Sequence, residues 1–163
     1  MLRRSFSVRI ALAALAIVGL AGPATAGEQV PFRGIVEGSF TSTLIPGTPN
    51  ALVVAIGTGQ ATLLGQFSFD FPLTVNLATQ TGSGTYTLTA ANGDTVVAEV
   101  IAKSSVLPNG LRLVEEIGTI TGGTGRFANA SGGFIGERTL DRATGDVIGF
   151  FDGTISSPGA DNP

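Results

Sequence analysis

Few side chains in this sequence could do chemistry, and that scarcity narrows the possibilities. The chain has no histidine and no cysteine. The usual proton-transfer group near neutral pH is therefore missing, along with any thiolate nucleophile, serine–histidine triad or Cys/His zinc site. The acid–base candidates are Glu115, Arg138 and Tyr86, the only tyrosine. Glu115 and Glu116 look like paired carboxylates, but adjacent residues of a strand point to opposite faces and cannot share one site. Glu115 keeps step with Leu111, Leu113 and Ile117, so it is the one expected to turn inward. Arg138 keeps step with Phe134 and Leu140. One reading is a buried Glu115–Arg138 pair with the Tyr86 hydroxyl nearby, because an inward carboxylate needs a partner. The favoured reading leaves both charges at a solvated rim, since fully buried charges are rare.

Other motifs carry less. Gly122-Gly123-Thr124-Gly125 has the look of a phosphate loop, yet no Gly-Lys-Ser/Thr follows and no helical pattern opens after it. Asp141 and Asp146 flank a turn without the third oxygen cluster that calcium requires. No metal and no cofactor are expected.

The elements that would position these groups are strands. From Gln66 to Leu77, Phe67, Phe69, Phe71, Leu73, Val75 and Leu77 alternate unbroken with polar residues and Pro72. That is the period of a strand with one dry face. Pro72 removes a ladder donor and predicts a bulge or an unpaired stretch. Further strands are expected over 32–44, 52–62, 84–90, 95–103, 111–121, 133–141 and 146–156. Asn92-Gly93 is the strongest hairpin signal among the connections. Eight strands at hairpin spacing imply antiparallel neighbours. Such a meander can close on itself into an all-β, up-and-down barrel; an open β-sandwich is the runner-up. A barrel of this size is either filled or holds one small ligand.

The first residues read as a signal peptide. Arg3, Arg4 and Arg9 precede an apolar run from Ile10 to Ala21, and Ala24-Thr25-Ala26 fits a cleavage pattern. The run is shorter than the ~20 residues that span a bilayer, so no stable membrane anchor is expected. The expected organisation is a leader over 1–26 and one domain over 27–163, with the barrel at about 32–156 and a short disordered tail. The protein would then be extracellular or periplasmic. Three of the nine Lys and Arg residues precede residue 27 and all twelve acidic residues follow it. The exported chain would be acidic without a basic cluster, which argues against nucleic-acid binding. Lacking disulfides, it must be stabilised by sheet closure and packing.

Thr121-Gly122-Gly123-Thr124-Gly125-Arg126-Phe127 and the following Ala128 to Gly133 resemble the glycine–phenylalanine signature of allene oxide cyclases and plant dirigent proteins, and most of all secreted bacterial proteins with the same barrel. Gly57-Thr58-Gly59-Gln60-Ala61-Thr62-Leu63-Leu64-Gly65-Gln66-Phe67 and Leu88-Thr89-Ala90-Ala91-Asn92-Gly93-Asp94 extend the likeness across the domain. The resemblance implies a barrel in which Gly122, Gly123, Gly125 and Phe127 are shape residues. It implies small apolar molecules inside that barrel, and a homotrimer. The leading functional expectation is non-catalytic binding of a small apolar ligand by Phe40, Phe67, Phe69, Phe71, Tyr86 and Phe134. The alternatives are an isomerase, cyclase or dirigent-type enzyme acting by enclosure, with Glu115, Arg138 and Tyr86 as catalytic candidates, and an envelope protein with a filled core.

Overall fold

A computed structural model describes residues 27–156 and Pro158 of the 163-residue chain. The expected leader and most of the expected tail lie outside the described residues. Eight strands follow one another: β1 (Gln29–Leu44), β2 (Asn50–Ala61), β3 (Gly65–Asn76), β4 (Thr81–Ala90), β5 (Thr95–Val106), β6 (Arg112–Gly123), β7 (Gly132–Leu140) and β8 (Asp146–Ser156). Each pairs antiparallel with the next, and β8 returns to β1, closing the barrel.

Closure depends on the 16-residue length of β1. Its first residues, Gln29 to Arg33, pair with β8 alone, whereas Thr41 to Leu44 pair with β2 alone. This stagger is the register offset that a closed sheet requires. The ladder toward β4 is interrupted at Phe71 and Pro72, with the same register on either side. Pro72 thus leaves an unpaired stretch, as a residue without an N–H should, and no bulge. A bulge lies elsewhere: Val97 faces Gly122 while Ala98 faces Ile120, so Thr121 is the extra residue.

Inward positions alternate strictly with outward ones. Phe32, Phe67, Phe69, Phe71, Tyr86, Phe134 and Phe151 form a continuous aromatic core. Ring centroids are 4.9 Å apart for Phe32–Phe151 and Phe71–Tyr86, and 5.4 Å for Phe134–Phe151. Glycine makes room for these rings. Gly34 faces Phe151, Gly59 faces Phe67 and Gly118 faces Phe134 across the ladders. A Cβ on any of the three glycines would run into the facing ring.

The two ends differ. At one, the β6–β7 connection folds over the barrel through a short 3-10 turn, Gly125–Phe127, and buries Phe127, Ala130 and, from the β2–β3 turn, Leu64. Arg126 ties three connections together there: its Nη2 donates to the Leu63 carbonyl at 2.6 Å and its Nε lies 3.6 Å from Asp94 Oδ2. Gly125 adopts φ +55°, and a Cβ there would collide with the Asp94 carboxylate, so only glycine fits this plug. At the other end the interior stays open.

Candidate functional site

The open end is a cavity of about 70 Å³. Phe40, Val53, Ala55, Phe71, Leu73, Val75, Leu140 and Val147 give it an apolar wall, and Gln80, Ser104, Arg112 and Arg142 supply polar groups toward the connections. Glu116 and Arg138 also line it.

Those two form an ion pair. Arg138 Nε donates to Glu116 Oε2 at 3.0 Å, and both side chains are less than 5% exposed. Small neighbours give them space: Gly136 faces Glu116 and Gly149 faces Arg138. A Cβ on Gly149 would stand 2.8 Å from Arg138 Cγ. Aromatic rings lie around the guanidinium, with Cζ 4.5 Å from the Tyr86 centroid, 4.9 Å from Phe71 and 5.4 Å from Phe69. Such contacts favour a cation in a low-dielectric site.

Burial dominates the titration of this group. It pushes the Glu116 carboxyl above its ordinary range, and the neighbouring Arg138 only partly offsets that. It pushes the Tyr86 hydroxyl up to about 12, with Arg138 pulling it down and Glu116 pushing it further up. The Tyr86 hydroxyl and Arg138 Nη1 are buried without a hydrogen-bond partner. A carboxyl whose pKa is raised by burial beside an apolar cavity is suited to proton transfer, and the unpartnered donors can hold an acceptor.

The favoured expectation of both charges at a solvated rim fails for Arg138, which is buried, and the pair it forms is with Glu116, one residue on from Glu115. Glu115 is exposed on the outer wall, and Glu116 takes the inward place. The physical reason is that the outer wall is apolar too. Leu113 and Ile117, which drew Glu115 inward in the sequence reading, face outward with it, and Ile117 is 58% exposed. Glycine was the better guide: Gly118 and Glu116 share the inner face. Tyr86 and Arg138 do meet.

The other sequence-derived residues divide between the two ends. Phe40 and Phe71 line the cavity. Phe67, Phe69 and Phe134 are fully packed in the core, and Tyr86 lies between the two regions against Phe69, Phe71 and Phe134. Gly122, Gly123, Gly125 and Phe127 belong to the plug and the strand end leading into it. Sequence reasoning missed Gln80, Ser104, Arg112 and Arg142. Arg112 was within reach, because it keeps step with Val114 and Glu116 once the inner face of β6 is assigned.

No family model matches the chain, and no curated protein matches it. Among solved structures, a pterocarpan synthase dirigent protein is similar, with a TM-score of 0.56 and 15% identity over 89% of this chain and 98% of that one. At that identity the likeness is one of fold: an all-β, eight-stranded, antiparallel closed barrel of dirigent type with a buried aromatic core.

Proposed function

We propose that this barrel takes up a small, mostly apolar molecule through its open end. The observation that carries the reading is the asymmetry of the interior: Phe127 and Leu64 plug one end, while an apolar-walled cavity with a few convergent polar groups stays free at the other. The free volume of about 70 Å³ lies well below the ~300–1,000 Å³ of drug-sized sites, so the occupant is small or displaces half-buried side chains such as Phe40 and Leu77. Toluene titration followed by methyl NMR tests this. Signals of Leu73, Val75, Leu140 and Val147 are expected to move, and those of Leu64 and Ile155 to stay. No movement up to toluene saturation would sink the proposal.

A catalytic role is the second reading, favoured by one observation, the buried carboxyl of Glu116 in the cavity lining. Dirigent-type or isomerase chemistry on an apolar substrate would use Glu116 where the sequence suggested Glu115. Native mass spectrometry separates the readings. Binding alone expects the same adduct on wild type and Glu116→Gln, whereas catalysis expects a substrate adduct that accumulates only on the variant.

Export through the leader, and assembly with further copies of the chain, belong to the same proposal. The outer row Ile101, Ile117 and Ile135, in register across β5, β6 and β7, supports self-association, because large exposed apolar patches are unusual on monomers. Light scattering on the exported protein is expected to give a trimer mass; a monomer at micromolar concentration would remove that part.

A further inference from the structure

Charge is distributed unevenly between the cavity and the rest of the chain. From residue 27 onward there are six basic side chains against twelve acidic ones. Three of those six, Arg112, Arg138 and Arg142, line this one cavity, together with a single carboxylate, Glu116. The cavity is therefore a cationic spot in an acidic protein.

The guanidinium groups are also incompletely used. Arg138 is 4% exposed; its Nε is taken by Glu116, and its Nη1 is buried with no partner. Arg112 Nη1 donates to Gln80 Oε1 and, at 2.9 Å, to Ser104 Oγ, but its Nε is buried and unpartnered as well. Burial and then the charge of Arg142 hold the Arg112 pKa below its usual value. The ion pairs among the described residues are Arg33–Asp152, Arg126–Asp94 and Arg138–Glu116, and none of them offsets Arg112 or Arg142. Asp141, beside Arg142, accepts the Ala143 N–H in its own turn. Buried donors without acceptors call for an occupant. Water can accept their hydrogen bonds, but it carries no charge to offset the partly buried Arg112 beside an apolar wall, with the exposed Arg142 adding a second positive charge at the mouth.

We propose that the occupant of this cavity is a small organic anion, with a carboxylate-like group held by Arg112, Arg138 and Arg142 and its apolar body against Phe40, Phe71 and Leu73. The inference rests on the uptake reading above and adds the charge of the ligand. Guanidinium recognises such oxygens through paired, charge-assisted hydrogen bonds, and these discriminate more strongly than neutral ones.

Benzoate, benzyl alcohol and toluene share a ring and differ in the polar group, so their affinities read the charge directly. Calorimetry or NMR titration is expected to show benzoate binding at least about tenfold more tightly than benzyl alcohol, an advantage that shrinks as sodium chloride is added. Arg112→Gln and Arg142→Gln are each expected to remove most of that advantage, read as the ratio of benzoate to benzyl alcohol affinity within the same variant. Arg142 is exposed on the β7–β8 turn, so its variant carries the test even where Arg112→Gln fails to fold. Equal binding of benzoate and benzyl alcohol, or an advantage that survives both substitutions, overturns the inference while toluene binding keeps the uptake reading. Silence with all three compounds overturns both.

Discussion

Arg138 and Glu116 hold each other across β7 and β6 at 3.0 Å, inside a barrel whose inner wall is otherwise almost wholly glycine, alanine and apolar side chains. Neither charge is accessible, so each depends on the other. Removing one partner of a buried pair leaves an uncompensated charge and costs about 3–5 kcal/mol, whereas replacing both with apolar or neutral groups of similar volume is often close to neutral. Glu116→Gln is expected to lower unfolding stability by an amount in that range. Glu116→Gln combined with Arg138→Met is expected to recover much of the loss. Urea unfolding of the two variants and wild type measures it, and a single variant as stable as wild type would contradict the buried pair.

The same carboxyl gives a pH dependence with a definite sign. Burial raises the folded-state pKa of Glu116, so the folded protein holds its proton to higher pH than the unfolded chain does. Stability from this group is then fully present below the ordinary glutamate pKa and declines as pH rises through the folded value. The difference in stability between wild type and Glu116→Gln is therefore expected to change as pH rises from about 4, wild type losing ground relative to its own acidic maximum. A difference that stays flat from pH 4 to 8 would show that the carboxyl titrates as it does in water.

Strands, their order and the aromatic core were legible because the inner face of β3 alternates without a break from Phe67 to Val75. β6 was harder. Its outward side chains include Leu113 and Ile117, while its inward ones include Glu116 and Gly118, so hydrophobicity pointed to the wrong face. The paired residue was thus misplaced by one position, although Arg138 and Tyr86 were placed together. The cavity rim was not legible at all. Gln80 and Arg112 meet 32 positions apart only because β4, β5 and β6 end on the same side of the barrel.

At the plugged end, burial rather than charge is expected to hold the structure. Phe127 is 1% exposed, and Phe127→Ala should cost about 3–5 kcal/mol. Arg126 reaches Leu63 and Asp94, yet its side chain remains 42% exposed, so Arg126→Ala should cost no more than about 1 kcal/mol. Thermal unfolding of the two variants gives the comparison; an arginine effect as large as the phenylalanine effect would mean that the latch, and not the plug, closes this end.

The facing Gly–Phe pairs make a prediction opposite to the usual one. In a strand, alanine is normally preferred to glycine, by about 0.5–1 kcal/mol. Gly118 faces Phe134 across β6 and β7, and a Cβ there would occupy the space of the ring. Phe134 cannot swing away easily, because it also packs against Phe32, Tyr86 and Phe151. Gly118→Ala is therefore expected to destabilise by about 1–3 kcal/mol, the cost of overpacking a filled core. Adding Phe134→Leu vacates the volume, so the alanine substitution should cost less in that background than in wild type, and a double-mutant cycle reads this coupling directly. Additive effects would mean that ring and glycine do not compete for the same space.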